Sequence, residues 1–131
     1  MRFHILTLFP EMFVGVLSTS ILKRIQDKKL VEVLFYNLRE YGKGKYHQVD
    51  DVPYGGGAGM VMMPEPLSAA IKAAKSQAKG KTIVIYLTAG GKRLKQTQVE
   101  RFVKYDDIIL LCGHYEGIDQ RIIDLYIDVE L

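Results

Sequence analysis

The sequence predicts an α/β fold in which a mostly parallel sheet is flanked by helices. Short apolar, β-branched runs alternate with segments of helical spacing, as in βαβ crossovers. The links from helix to strand are short, whereas the links from strand to helix hold nearly all the glycine clusters. The chain has 131 residues, 48% hydrophobic and 25% charged, which suits one globular domain with its own core.

The first half of the chain supplies two strands and a helix by these patterns. Residues 3–9 are apolar and β-branched, stop at a proline, and are predicted as a buried strand. Residues 11–27 carry apolar side chains at helical spacing and are predicted as one helix. A second strand is predicted over residues 31–36, and the segment 37–59 that follows is polar and dense in Gly, Lys and Asp.

The second half repeats the alternation. Residues 64–79 are alanine-rich, begin with Pro-Glu-Pro and are followed by a glycine, which is typical of a helix. Residues 82–87 are a continuous apolar run, as in a strand covered on both faces, and residues 107–112 are predicted as a further buried strand. A helix is predicted over residues 95–103, and residues 121–131 are mixed, with one helical turn and then a last strand.

Composition excludes some classes of protein and leaves others open. The net charge of +3 is compatible with a nucleic-acid partner but does not argue for one. The single cysteine, Cys112, forms no internal disulfide and favours a reducing compartment. The N-terminus lacks a cleavage site, and no run approaches the roughly 18 apolar residues of a membrane span. We therefore expect a cytoplasmic protein without a membrane partner.

The glycine run at residues 54–59 is the first candidate site. Strand-to-helix links lie at the carboxyl ends of parallel strands, where ligands bind. This run places four glycines in five positions, which predicts positive φ angles, a ligand against bare backbone, or an anion-binding nest. A flexible loop is the alternative. The run is not a P-loop, and no Gly-x-Gly-x-x-Gly follows the first strand.

The loop at residues 113–119 is the second candidate site. It brings a histidine, a tyrosine, two carboxylates and two glycines to one strand end. Tyr115 can stack on a base and Glu116 can pair with a guanine edge. Alternatively, Glu116 or Asp119 caps a helix, although a cap does not explain both glycines. The neighbouring Asp50 and Asp51 are a general base, a cation site or, more commonly, partners in structural ion pairs.

Metal chemistry is not expected from this sequence. Cys112 and His114 are the one close pair of metal-ligand side chains, and no second pair of usable spacing exists. Cys112 ends an apolar run, and we interpret it as an inert core residue.

Four stretches in collinear order resemble one family, the bacterial tRNA (guanine-N1)-methyltransferases of the knotted SPOUT class. They are residues 8–13 (LFPEMF), residues 49–60 (VDDVPYGGGAGM), residues 86–88 (YLT) and residues 112–121 (CGHYEGIDQR). The resemblance implies methyl transfer from S-adenosylmethionine to N1 of the guanine at position 37 of tRNA, 3′ to the anticodon. It also implies a trefoil-knotted fold and a homodimer whose active site lies at the subunit interface.

The resemblance also assigns residues to the site. The cofactor-binding residues would be Tyr86, Leu87, Thr88, Ala89, Gly91, Gly113, Tyr115, Glu116 and Gly117. The residues on the target-guanine side would be Tyr54, Gly55, Gly56, Gly57 and Gly59. Glu116 and Asp50 would be supporting catalytic residues. A sulfonium methyl is already activated, so such a site must mainly align it and remove the N1 proton.

The sequence departs from the family pattern in two places. Residues 88–91 read Thr-Ala-Gly-Gly where the family usually has Ser-Pro-Gln-Gly, so we expect this loop to contribute mostly backbone groups. The family also continues past the equivalent of Glu130 into a further cofactor loop, the principal catalytic residues and a C-terminal tRNA-binding domain. We therefore expect residues 1–131 to be a truncated S-adenosylmethionine-binding domain that binds the cofactor weakly and does not methylate tRNA by itself.

Three other interpretations remain open at this stage. The chain could act as a SPOUT methyltransferase on ribosomal RNA or on ribose, although the glycine run looks particular to the guanine-N1 family. It could be an RNA- or nucleotide-binding module without activity. It could also be a folding unit alone.

Overall fold

A computed structural model describes residues 1–131 and has five parallel strands in one sheet. The strands of the sheet are β1 (Arg2–Thr7), β2 (Glu32–Asn37), β5 (Thr82–Leu87), β6 (Asp107–Cys112) and β7 (Val129–Glu130). A separate antiparallel pair consists of β3 (Asp50–Asp51) and β4 (Val61–Met62). The helices are α1 (Glu11–Leu17), α2 (Ser20–Asp27), α3 (Pro64–Gln77), α4 (Gln96–Phe102) and α5 (Gln120–Tyr126), with a 3-10 turn at Leu38–Tyr41.

The sheet has the order β2-β1-β6-β5-β7, with every neighbouring pair parallel. The predicted fold class is therefore confirmed, and so are the strands at 82–87 and 107–112 with their predicted bounds. Because all five strands run the same way, their carboxyl ends meet at one edge of the sheet. We call this the carboxyl edge.

The prediction of one helix over residues 11–27 is wrong. The chain leaves the helical path at Thr19, which is extended, and Ser20 has a φ of +49°. The hydroxyls of Ser18 and Thr19 donate to carbonyls of the preceding turn, 3.2 Å from the Gly15 oxygen. Serine and threonine compete with the helix ladder in this way, so the segment becomes α1 and α2.

The other predicted elements differ in their bounds. The first strand ends at Thr7 and not at residue 9. The predicted last turn and strand are present as α5 and β7. The antiparallel pair β3 and β4, on either side of the glycine run, was not predicted, since its register depends on contact between the two ends of a loop.

Two apolar layers cover the sheet. The larger one contains buried side chains of the sheet, α3 and α5, including Leu6, Val84, Leu67, Ile71 and Ile122. The smaller one contains Ile83, Ile85 and Ile108 with Phe102 of α4 packed against them. None of the helices combines the length and apolar character that a bilayer-spanning segment needs.

A buried polar network holds the opposite edge of the sheet, where the strands begin. His4 and Asp107 are both fully buried, and their side chains approach to 2.8 Å. Arg2 pairs with the Asp107 carboxylate at 2.8 Å, and the Lys79 and Gly80 N–H groups donate to it at 3.0 and 3.1 Å. Burial alone would raise the pKa of Asp107, but the hydrogen bonds from His4, Lys79 and Arg2 lower it below its usual value.

Candidate functional site

The two predicted loops meet at the carboxyl edge. The Met62 N–H donates to the Gly117 carbonyl at 2.9 Å, and the Asp119 N–H donates to the Met62 carbonyl at 3.2 Å. The Glu116 N–H donates to the Met60 carbonyl at 3.0 Å. These bonds fix the 113–119 loop beside β4, so the glycine run and the second loop form one structure although they are more than 50 residues apart in the sequence.

A cavity of about 160 Å³ opens between the end of β5 and the 113–119 loop, and we call it the edge cavity. It is lined by Tyr86, Leu87, Thr88, Ala89, Gly113, His114, Tyr115, Glu116 and Gly117. The structure thus brings together the residues assigned to the cofactor by resemblance, except Gly91, which does not line the cavity. Gly91 lies instead against β7, where an added Cβ would come within 2.4 Å of the Leu131 carbonyl carbon.

Gly113 sets the shape of the edge cavity. A Cβ at this position would lie 2.7 Å from Cε2 of the buried Tyr86 ring, closer than side chains tolerate. The backbone N–H groups of Ala89, Gly113, Tyr115 and Gly117 donate to no other group of the chain. The cavity therefore presents bare backbone with unused donors, which suits a ligand with several acceptor atoms.

The glycine run has the backbone that its composition predicts. Gly55, Gly56, Gly57 and Gly59 all have positive φ, between +84° and +125°. A side chain at Gly59 would also meet the Glu116 side chain, since an added Cβ would lie 2.4 Å from Glu116 Cγ. Gly59 is thus needed for close packing between the two loops, whereas Gly55 to Gly57 face open space.

Asp50 and Asp51 do not act as a pair. Successive side chains of a strand point to opposite sides, and these two residues form β3. Asp50 lies beside Tyr115: burial and the Asp50 carboxylate together raise the pKa of the Tyr115 phenol. Asp51 accepts a hydrogen bond from the Val52 N–H at 2.8 Å and is exposed. Of the two, Asp50 is the one next to the edge cavity.

Asp119 has the capping role that was one of its predicted alternatives. Its Oδ1 accepts from the Arg121 N–H at 2.9 Å at the start of α5, and the Arg121 guanidinium binds the same carboxylate at 2.7 Å. The hydrogen bond from Arg121 lowers the pKa of Asp119. The presence of Asp119 is therefore explained by its role in capping α5.

His114 and Cys112 do not form a metal site in this chain, and no three His, Cys, Asp or Glu side chains come close enough to hold a metal ion. The His114 ring packs edge-on against Phe9 and Tyr115, with ring centres 5.4 and 4.9 Å apart. Burial raises the pKa of the Cys112 thiol, so the thiolate needed for nucleophilic chemistry is disfavoured.

A polar groove on the other side of the glycine run was not predicted. It has a volume of about 490 Å³, and its lining includes Lys43, Asp51, Tyr54, Gly55 and Arg121. Of the five residues predicted to bind the substrate, Tyr54 and Gly55 border this groove. Lys43 was visible in the sequence, but its position in the same groove as Arg121 depends on contacts between distant segments.

Comparison with known proteins gives consistent matches over the whole chain. A family model described as tRNA (Guanine-1)-methyltransferase TrmD matches residues 1–131. The tRNA (guanine-N(1)-)-methyltransferase of Clostridioides difficile (strain 630) is 48% identical over 132 residues, which cover 100% of this chain and 57% of that protein. The protein of the same name from Spiroplasma kunkelii is 51% identical, with 99% of this chain and 48% of that protein covered.

A solved structure also matches. The crystal structure of tRNA (m1G37) methyltransferase from Aquifex aeolicus has a TM-score of 0.88 and 37% sequence identity with this chain. The match covers 99% of this chain and 58% of the Aquifex chain. This chain therefore spans about half the length of the curated relatives that it matches.

Proposed function

Since the chain belongs to the tRNA (Guanine-1)-methyltransferase family, we propose that it forms the methyl-donor half of an enzyme that transfers a methyl group from S-adenosylmethionine to N1 of guanine 37 in tRNA. The fold is that of the SPOUT methyltransferases, as the Aquifex structure indicates. The observation that carries the proposal is the edge cavity, because its lining joins two segments that the resemblance had independently assigned to the cofactor.

The edge cavity fits one part of S-adenosylmethionine. Its free backbone N–H groups can donate to adenine or carboxylate acceptors, and Gly113 and Gly117 let the ligand approach the backbone. At about 160 Å³ the cavity is smaller than the roughly 300–1,000 Å³ of whole ligand sites. This difference supports the prediction that further segments of the natural protein complete the pocket.

The bound cofactor would supply an activated methyl group, and the residues of this chain would orient its acceptor. Asp50 and Glu116 both lie where the glycine run meets the 113–119 loop. Asp50 is beside Tyr115, and Glu116 is beside Gly59. A carboxylate here can accept the N1–H of guanine and hold the base in line with the methyl group. Gly55, Gly56 and Gly57 would let the base approach bare backbone.

The proposal includes a homodimer whose active site lies between subunits, and a cytoplasmic location. Met12 and Val16 of α1 are exposed and line one apolar cavity with Phe9 and Phe13, and a contiguous apolar surface of this kind supports the dimer.

Methyl transfer by the full-length natural protein tests the proposed function. We expect label from methyl-tritiated S-adenosylmethionine to appear as 1-methylguanosine in a tRNA transcript with guanine at position 37. A transcript with adenine at that position should remain unlabelled. Label in ribose, in another base or in both transcripts equally would contradict the proposal.

A further inference from the structure

A tight hairpin at residues 43–48, which we call the basic hairpin, takes no part in the edge cavity. The Lys43 N–H donates to the Gln48 carbonyl at 2.7 Å, and the Gln48 N–H donates back at 3.0 Å. The His47 N–H closes the tip with a bond of 3.2 Å to the Gly44 carbonyl. Gly42 permits this fold, because a Cβ there would lie 2.3 Å from the His47 carbonyl oxygen. The hairpin backbone is therefore well defined.

The tip of the basic hairpin presents an aromatic ring and a cation to solvent. Tyr46 is 88% exposed, so its ring is available for contact with another molecule. Lys45 beside it is exposed and makes no ion pair, and Lys43 has only the loose approach of Glu65 at 3.8 Å. An exposed aromatic ring next to a lysine without an ion pair is the combination that binds single-stranded nucleic acid, through base stacking and phosphate contact.

The position of the basic hairpin connects it to the proposed site. The buried Val49 anchors its end, and the next residue is Asp50, beside Tyr115 of the edge cavity. Its first residue, Lys43, lines the polar groove together with Tyr54 and Arg121. A strand of RNA that places a base over the glycine run would therefore lie close to the hairpin.

We propose that the basic hairpin is an RNA-contact element that holds the single-stranded nucleotides beside the target guanine. Tyr46 stacks on an unpaired base, and Lys45 contacts a backbone phosphate. The inference rests on the proposed function, which supplies the RNA substrate. Because the hydrogen bonds of the hairpin already fix its backbone, little conformational freedom is lost when RNA binds.

Substitutions at Tyr46 in the full-length natural protein test the stacking contact. Tyr46→Ala should weaken binding of a guanine-37 tRNA transcript by roughly 5- to 100-fold, while Tyr46→Phe, which keeps the ring, should bind like the wild type. Affinity for S-adenosylmethionine, measured by calorimetry, should stay unchanged in both. The thermal midpoint should not move either, since the side chain is exposed.

The salt dependence of binding tests the phosphate contact. Lys45→Ala should reduce the slope of log affinity against log salt concentration by about 0.7, the value of one contact with a single strand. Lys104→Ala is the matched control: Lys104 is exposed and lies between α4 and β6, near the edge of the sheet opposite the site. This variant loses the same charge and should keep the wild-type slope.

Any result that differs from these expectations counts against the inference. Wild-type affinity in Tyr46→Ala would overturn the inference, and equal weakening in Tyr46→Phe would overturn stacking in favour of a role for the hydroxyl. Equal slopes for Lys45→Ala and Lys104→Ala would overturn the phosphate contact. If the wild-type protein neither binds nor methylates the transcript, the proposed function fails together with the inference, whereas methylation with no effect of the variants refutes the hairpin alone.

Discussion

Gly113 illustrates how a single missing side chain shapes the proposed cofactor site. In Gly113→Ala the new methyl group would meet the Tyr86 ring, so the ring must move into the edge cavity or the loop must retreat. Overpacking of this kind costs about 1–3 kcal/mol. We expect S-adenosylmethionine to bind at least about tenfold more weakly to the full-length protein, as measured by calorimetry. Equal affinities of Gly113→Ala and the wild type would contradict the prediction.

Asp107 has a stabilising role that its pKa makes dependent on pH. The pKa of Asp107 is lowered in the folded protein. Its contribution to the free energy of unfolding is therefore complete above the pKa of the unfolded chain, about 4, and is lost progressively as the pH falls below that value. Asp107→Asn removes the charge that Arg2 and two backbone N–H groups bind, and should cost about 3 kcal/mol at pH 7.

Urea unfolding at pH 7 and at about pH 3 measures this effect. The gap in unfolding free energy between wild type and Asp107→Asn should narrow at the lower pH, because the Asp107 carboxylate of the unfolded wild-type chain then binds a proton, which stabilises the unfolded state relative to the folded one. Asp27→Asn is the control, since Asp27 is exposed and its ion pair with Lys23 is worth little. A gap that is the same at both pH values would show that the charge of Asp107 is not the stabilising feature.

At the scale of elements, the sequence predicts secondary structure best where a single interaction, such as hydrophobic burial, determines it. The apolar residues at 83–87 and 108–112 are mostly buried in the middle of the sheet, so hydrophobicity alone indicates the two strands. The segment 11–27 has helical spacing throughout, but the hydroxyls of Ser18 and Thr19 compete for backbone carbonyls and break it. The β3–β4 pair and the basic hairpin depend on contacts across loops, for which single-sequence patterns carry no signal.

The basic hairpin is the element whose stability depends most directly on one glycine. Gly42 has an ordinary φ of −65°, so alanine would be acceptable to the backbone there if space allowed. A Cβ would nevertheless overlap the His47 carbonyl, and Gly42→Ala should lower the unfolding free energy by about 1–3 kcal/mol. Chemical denaturation measures the loss. Gly90→Ala, which meets nothing within 4 Å, should change it by less than about 0.5 kcal/mol. Equal stability of Gly42→Ala and wild type would mean that the hairpin moves freely.

At the scale of the molecule, the sequence predicts which edge of the sheet carries the candidate site, but it does not predict how the loops of that site pack against each other. Glycine clusters after strands, with the rule that ligands bind at carboxyl ends, indicated residues 54–59 and 113–119 as candidate sites. The order β2-β1-β6-β5-β7 places β1 beside β6, which is distant from it in the sequence, and no local pattern encodes this order. The separation of Asp50 from Asp51, and the groove that joins Lys43 to Arg121, are consequences of that long-range packing.

The exposed apolar surface of α1 bears on the assembly that the family resemblance implies. Met12 and Val16 are 74% and 61% exposed, and both line an open apolar cavity of about 550 Å³ with Phe9 and Phe13. If this surface lies in the homodimer interface, Val16→Glu should raise the dimer dissociation constant at least about tenfold, because a buried unpaired charge opposes association. Glutamate is at least as good a helix former as valine, so α1 should persist.

Sedimentation equilibrium of the full-length protein measures this constant. Val103→Glu is the matched control, because Val103 is 67% exposed and directly follows α4, outside that apolar cavity. It should dimerise as the wild type does. If the active site is shared between subunits, methyl transfer by Val16→Glu should recover as the protein concentration rises through its new dissociation constant, which a local defect in the cavity would not produce. A wild-type protein that stays monomeric, or a Val16→Glu variant that dimerises normally, would exclude this surface as the interface.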